Sequence, residues 1–198
     1  MKTQLLSYTH SNTIIDATGI SPEKILPHLS YTFAIEKISR ACSHQLIRHR
    51  IASYSQQSQR YVSVKELGEQ VVVPPSITGL SLEVYAGFIG QCSDVYENLV
   101  ESNVPLEDAR FVLPNATETN LLVTMDGRAL FHFFGLRCCS RAQWEIRLLA
   151  DMMLKEVRNV EPELFRKAGP YCFQLGYCME GRFSCGKMLD VKKKYGDL

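Results

Sequence analysis

Residues 31–60 read YTFAIEKISRACSHQLIRHRIASYSQQSQR, and the hydrophobic pattern of this stretch changes twice. In residues 31–36 the large apolar side chains occupy every second position, which predicts a half-buried strand. In residues 38–50 the apolar positions follow helical spacing, which predicts a helix. Residues 53–60 are polar and have no apolar period, so they predict a loop.

The rest of the chain mixes the same patterns. Residues 81–100 predict an amphipathic helix, and its apolar positions are Leu82, Tyr85, Phe88, Ile89 and Cys92. Short strands are predicted at 71–73 and 121–124, and helices at 127–136 and 141–157. Because strands and helices do not alternate strictly, the sequence predicts an α+β fold. We expect a single domain, residues 1–198, with a mixed or antiparallel sheet flanked by helices.

The composition is that of an ordinary globular protein. Hydrophobic residues make up 45% of the 198 positions, charged residues 22%, and the formal net charge is +1. This balance indicates neither a nucleic-acid partner nor a membrane partner. Seven cysteines are an odd number, which argues against a complete disulfide framework. We therefore expect reduced thiols and a cytoplasmic protein.

Positive charge is concentrated in one short stretch. Arg48, His49, Arg50 and Arg60 fall within 13 residues, where their charges repel one another unless an anion is bound. A guanidinium group fits a phosphate through two parallel hydrogen bonds. The stretch therefore predicts a nucleotide or phosphate site.

Two other interpretations of this stretch are open from the residues alone. The arginines can form a solvated basic surface that also stabilises the end of a helix. A contact with RNA is the weaker alternative, because only Tyr54 and Tyr61 are available nearby to stack on bases.

The order of the residues adds a resemblance. RHRIASYSQQSQR resembles the signature RHRxxSxxxxSxR of flavin-dependent thymidylate synthases, and the matching residues are Arg48, His49, Arg50, Ser53, Ser58 and Arg60. Residues 126–147, DGRALFHFFGLRCCSRAQWEIR, resemble the family's HFFxLRxxxRAQWEIR element. Residues 107–114, EDARFVLP, resemble its ARxxLP element and contain Arg110. The three elements occur in the family's order.

The resemblance implies an activity and an assembly. Family members convert dUMP to dTMP by reductive methylation, with FAD and NADPH as redox cofactors and methylenetetrahydrofolate as the carbon donor. They are homotetramers whose sites form between subunits. The resemblance therefore implies dUMP and folate as small-molecule partners, and no nucleic acid and no membrane.

The resemblance also implies roles for individual residues. Arg137 matches the arginine that contacts the uracil ring, and we expect it to be the catalytic residue. The dUMP-binding residues implied are Gln45, Arg48, Gln56, Gln57, Ser58, Gln59, Arg60, Arg110 and Arg137. The FAD-binding residues implied are Arg48, His49, Arg50, Gln56, Asp126, Arg128 and His132.

The chain departs from the family pattern at two places. The N-terminal region, residues 1–30, is short, and Ile20 and Pro27 stand where the family's GHxSxxEH pattern has its first histidine and its glutamate, although His28 remains. Asp126 stands where the family has asparagine. Two hypotheses are therefore open: an active synthase, or an altered paralogue that binds nucleotide or flavin without synthase activity.

The C-terminal cysteines are the last pattern to interpret. Cys172, Cys178 and Cys185 are separated by five and six residues, unlike the CxxC pairs of structural zinc sites. From this spacing we expect packed free thiols and no metal.

Overall fold

The computed structural model describes residues 1–196, so the predicted domain of residues 1–198 includes two positions outside the described residues. The chain divides into two compact units. Unit 1 consists of Met1–Ile35, Gln45–Tyr54 and Leu122–Leu198, and unit 2 of Glu36–His44 and Ser55–Leu121. The strands are β1 (Lys2–Tyr8), β2 (Ser30–Ser39), β3 (Ser53–Gln56) and β4 (Glu118–Asp126).

The helices in the described residues are α1 (Ser11–Thr18), α2 (Pro22–Ile25), α3 (Arg40–Leu46), α4 (Leu80–Glu101), α5 (Leu106–Ala109), α6 (Gly127–Arg137), α7 (Trp144–Val160), α8 (Pro162–Phe165), α9 (Tyr171–Leu175) and α10 (Met188–Gly196). Short 3-10 turns occupy Leu26–His28, Leu67–Glu69, Arg110–Val112 and Gly181–Phe183. None of the helices within residues 1–196 combines the length and apolar composition needed to cross a bilayer.

The strands form one antiparallel sheet in the order β1-β2-β4-β3, which confirms the predicted α+β class. Strand β2 also confirms the alternation read from the sequence, because Tyr31, Phe33 and Ile35 are fully buried. The predicted strand at 121–124 lies within β4. Of the predicted strand at 71–73, only a single bridge remains, between Val71 and Thr117.

The predicted helix start at Ile38 is wrong, because β2 continues to Ser39. The burial pattern changes phase at Lys37, which has a left-handed backbone with φ 57° and whose N–H donates to Asn120 Oδ1 at 2.9 Å. Ile38 is therefore buried within the strand. An irregular strand position of this kind interrupts the period of two and imitates helical spacing in the sequence.

The predicted helix end at Arg50 is also wrong, because α3 ends at Leu46. The Tyr54 hydroxyl lies 2.9 Å from the carbonyl oxygens of both Leu46 and His49 and stabilises the turn that follows the helix. Residues 53–60 were predicted as a loop, yet their first part is β3. An edge strand carries polar side chains on its exposed positions, which hides it from a search for apolar alternation.

Unit 1 is built around α6 and α7, and both predicted helices are confirmed. Leu130, Phe133 and Phe134 of α6 are fully buried. Helix α7 begins at Trp144 rather than at position 141, because the Gln143 side chain accepts hydrogen bonds from the first backbone N–H groups of the helix. Strand β1 and helix α1 are not predicted from the sequence pattern.

Unit 2 is built around α4, which confirms the helix predicted at 81–100. Its buried cluster contains Ile89 and Cys92 together with Leu67. Leu82 and Phe88, which the helical period assigned to the same apolar face, are 42% and 55% exposed. The apolar surface of α4 is therefore wider than the part that the unit itself buries.

Candidate functional site

A cavity of about 630 Å³ opens in unit 1 between the turn after α3, helix α6 along its length, and α9. Several residues selected from the sequence line this one cavity, namely Arg48, His49, Arg50, Asp126, Arg128, His132 and Arg137. They come from two segments that are more than 70 positions apart in the sequence. The fold therefore brings the two arginine-rich motifs of unit 1 together.

Asp126 occupies the N-cap of α6 and sets where that helix begins. Its Oδ1 accepts a hydrogen bond from the N–H of Ala129 at 2.7 Å. The next residue, Gly127, donates its N–H to Leu29 O at 3.0 Å, and a Cβ at this position would lie 2.9 Å from Leu26 O. Asp126 thus has a structural function in addition to its place on the cavity wall.

The cavity wall is strongly positive. It carries four arginines and one carboxylate, that of Asp126. The ion pairs Arg60–Glu107 and Lys194–Asp151 involve none of Arg48, Arg50 and Arg128. Apolar wall comes from Ile51, Ala129, Phe131 and Leu136. Such a wall suits a ligand that combines negative charge with a flat ring.

His49 and Arg137 form a defined pair in this wall. Arg137 Nε donates to His49 Nε2 at 2.9 Å, and the edge of the His49 ring contacts Phe133 with 5.0 Å between ring centroids. Burial, then the charges of Arg137 and His132, lower the pKa of His49 to about 4. His49 is therefore neutral at physiological pH, accepts through Nε2 and carries its proton on Nδ1.

Tyr171 and Gln174 line the cavity and were not predicted. Tyr171 Oη lies 2.6 Å from His132 Nδ1, and its ring packs where a Cβ on Gly135 would come within 2.7 Å. Gln174 Nε2 donates to Phe131 O at 2.9 Å and holds α9 against α6. These residues belong to no motif, so no pattern in the sequence marks them as part of the site.

Unit 2 holds the other residues selected from the sequence, namely Gln56, Gln57, Ser58, Gln59, Arg60 and Arg110. Gln56 Nε2 donates to Ser43 Oγ at 2.9 Å, and Asn120 Nδ2 donates to Gln57 Oε1 at 3.1 Å. Ser58 Oγ accepts from the N–H of Arg60 at 3.1 Å. These contacts fix the segment that follows β3.

Arg60 is engaged on the surface of unit 2. It forms an ion pair with Glu107 at 2.6 Å, and its Nε donates to the same carboxylate at 2.8 Å. Arg110 Nε donates to the Glu107 carbonyl oxygen at 3.0 Å. An anion bound by Arg60 would have to compete with the Glu107 carboxylate.

A smaller cavity of about 230 Å³ in unit 2 is lined by Arg110 and Gln59 together with Arg40 and His44, which were not predicted. Partial burial, and then the charge of Arg110, lower the pKa of Arg40. No carboxylate lines this cavity. Arg40 and His44 are four residues apart, on one face of α3, and that spacing was the signal available in the sequence.

Gln45, in unit 1, is half-buried and lines neither cavity. Gln56 is absent from the wall of the larger cavity, to which its implied FAD contact would assign it.

Comparison with known proteins identifies the family. A family model described as thymidylate synthase complementing protein matches residues 4–163. A flavin-dependent thymidylate synthase of Geobacter sulfurreducens is 54% identical over 182 residues, which are 91% of this chain and 78% of the relative. Another, of Clostridium tetani, is 41% identical over an alignment of 209 residues that covers 96% of this chain and 78% of the relative. The chain belongs to the flavin-dependent thymidylate synthases.

Solved structures show the same fold for this family member. Thymidylate synthase X from Helicobacter pylori, crystallised with FAD and dUMP, has a TM-score of 0.68 at 24% identity and covers 83% of this chain and 97% of its own. The UMP/dUMP methylase PolB from Streptomyces cacaoi, bound with 5-Br UMP, has a TM-score of 0.68 at 21% identity and covers 83% and 91%. Tyr171 and Gln174 lie beyond the segment that the family model matches.

Proposed function

We propose that the chain converts dUMP to dTMP by reductive methylation, with FAD, NADPH and methylenetetrahydrofolate. The observation that carries this proposal is the convergence of Arg48, His49, Arg50, Asp126, Arg128, His132 and Arg137 on one cavity. Family membership indicates the class of reaction. The arginines and the apolar residues of the cavity wall suit the ligands of that reaction.

FAD is the ligand that we assign to the larger cavity. The donor set fits, because Arg48, Arg50 and Arg128 offer guanidinium groups to a pyrophosphate. The apolar residues of the wall offer a surface to a ring system. When bound, FAD supplies the redox chemistry of the reaction, while the protein supplies binding, orientation and charge.

Arg137 is the residue to which we assign the uracil ring. A fixed positive charge near the ring oxygens stabilises the negative charge that the ring acquires when its carbon 5 becomes nucleophilic. His49 holds Arg137 Nε through a neutral acceptor, so it orients the guanidinium group without cancelling its charge. Arg137 thereby acts without transferring a proton.

We assign a nucleotide phosphate to the residues of unit 2. Arg40 and Arg110 line a cavity without a carboxylate, together with His44, and the repulsion between the two guanidinium groups favours a bound anion. Gln59 and the Ser58–Arg60 segment belong to the same unit. Arg40 and His44 thus extend the set of residues implied by the family motifs.

The test is NADPH oxidation with dUMP and methylenetetrahydrofolate, scored for dTMP. We expect turnover in the unmodified protein and its loss in Arg137→Ala, with FAD still bound, which the flavin absorbance reports. Arg166→Ala, an exposed arginine outside both cavities, is the matched control. Full turnover in Arg137→Ala would contradict the assignment of Arg137.

The same experiment separates the second hypothesis. An altered paralogue would still be stabilised by dUMP, as a rise in melting temperature, or would still bind flavin, yet would form no dTMP. Asp126 and the divergent residues 20 and 27 motivate this comparison.

We further propose that the chain works as a homotetramer in the cytoplasm. Leu80, Val84, Phe88 and Val95 lie four, four and seven residues apart along α4 and are 80%, 76%, 55% and 47% exposed. This spacing places them on one face of the helix, and an open apolar face of this kind favours association. Within residues 1–196 no disulfide joins the seven cysteines, which suits a reducing compartment.

Light scattering tests the assembly. Phe88→Glu is expected to reduce the molar mass from four chains towards one. Glu101→Lys is the control, because Glu101 lies about 140° from Phe88 around the same helix. This variant is expected to leave the mass unchanged. An unchanged mass in Phe88→Glu would exclude this face as the association surface.

A further inference from the structure

A second cavity of unit 1, of about 390 Å³, has several cysteines in its wall. It lies where the end of α6 meets the C-terminal segment, and four cysteines line it, namely Cys139, Cys172, Cys178 and Cys185. All four are half-buried free thiols. The function proposed above uses none of them.

The segment of residues 176–187 depends on two of these thiols. Apart from the 3-10 turn Gly181–Phe183 it has no regular structure. Cys178 and Cys185 are its two positions that are not exposed, whereas Tyr177, Met179 and Phe183 are each more than half exposed. A segment with so little apolar burial cannot offset the entropy cost of its own ordering. A cross-link through the cysteines would supply the missing stabilisation.

A hydrogen bond joins one of the four thiols to the segment that follows α6. Ser140 Oγ donates to Cys185 Sγ at 3.0 Å. Cys139 follows α6, and it is the member that the C-terminal spacing alone did not include.

We propose that these four cysteines bind one thiophilic divalent cation of the zinc class. Four thiolates in a tetrahedron are a common structural zinc site, and a metal is the cross-link that persists where a disulfide would be reduced. Binding exchanges four thiol protons for one cation and leaves a complex of net charge –2. Arg141 lines the same cavity and offsets part of that charge.

Binding must also contract the cavity. Within residues 1–196 no three His, Cys, Asp or Glu side chains are already grouped as a metal site, so the thiols surround the space rather than meet at one point. Zinc–sulfur bonds of about 2.3 Å would draw the sulfurs together. Residues 176–187 are the segment that would move inward, because they are exposed and lack regular structure.

Metal content tests the proposal independently of turnover. The full chain, produced without a histidine tag and reconstituted with Zn²⁺ alone, is expected to retain about one zinc per chain after desalting. Cys178→Ser and Cys185→Ser are expected to lose it. Cys92→Ser, which removes a buried thiol of unit 2, is the matched control and is expected to keep it. Cobalt in place of zinc should give the visible absorption of a tetrahedral thiolate site.

A second measurement uses only the unmodified chain, in case the variants fail to fold. Alkylation of the native protein is expected to be slow at Cys139, Cys172, Cys178 and Cys185 with zinc present, and fast at all four after a chelator. The proposal is overturned if the reconstituted chain retains no zinc, if Cys178→Ser retains as much as Cys92→Ser, or if the chelator exposes none of the four. A Cys178–Cys185 disulfide in protein trapped at lysis would also overturn it.

Discussion

Acidification should weaken this protein through one histidine, His49. Its pKa is lowered from 6.5 to about 4, chiefly by burial. The unfolded chain therefore takes up the proton first, and stability that is fully present above pH 6.5 is lost as the pH falls towards 4. Between about pH 7.5 and 5 the loss is about 2 kcal/mol before screening. Because His49 is only half-buried, solvent screening reduces this to about 1 kcal/mol.

The assay is urea unfolding of the unmodified chain and of His49→Gln at both pH values. Glutamine offers Arg137 Nε an uncharged acceptor that does not titrate, so the variant should lose about 1 kcal/mol less on acidification. Contributions from the other titrating groups are common to both proteins and cancel. Equal losses in the two proteins would refute the reasoning, and so would a directly measured pKa of His49 near 6.5.

Two further substitutions test the architecture of the larger cavity. Asp126→Ala removes the N-cap of α6 and is expected to lower the free energy of unfolding by about 1 kcal/mol, while Asp126→Asn keeps the cap and most of that stability; equal losses would mean that the bond to Ala129 contributes nothing. Gly135→Ala places a Cβ about 2.7 Å from the Tyr171 ring and should cost about 1–3 kcal/mol. The cost should shrink when Tyr171→Ala is added, and strict additivity in the double variant would show that the two positions do not interact.

Much of the secondary structure was predictable because its signals are local. Two such signals are the alternation of Tyr31, Phe33 and Ile35 and the helical spacing of apolar residues in α4. Each depends on burial within a few neighbouring residues, and the structure contains both the strand and the helix. The helix start at Ile38 failed because the phase of β2 changes at Lys37, where a distant side chain, that of Asn120, accepts the backbone N–H. No local pattern contains that partner.

The candidate site divides in the same way. Motif residues such as Arg48 and Arg128 could be selected from their order in the chain. Tyr171 could not, because its place on the wall depends on packing against Gly135 and His132, which lie far from it in the sequence. The thiol cluster is similar: Cys139 joins Cys172 only through the fold. Spacing along a chain detects ligands from one segment and overlooks those that several segments contribute.

The open apolar face of α4 has a consequence for newly made chains. In the assembly proposed above, Leu80, Val84 and Phe88 become covered, whereas each unassembled chain exposes this apolar surface to other chains. Correct association and irreversible aggregation are both second-order in the concentration of unassembled chains. Dilution therefore slows both and does not favour association. A lower temperature or a holdase chaperone should therefore raise the recovered yield more than dilution does.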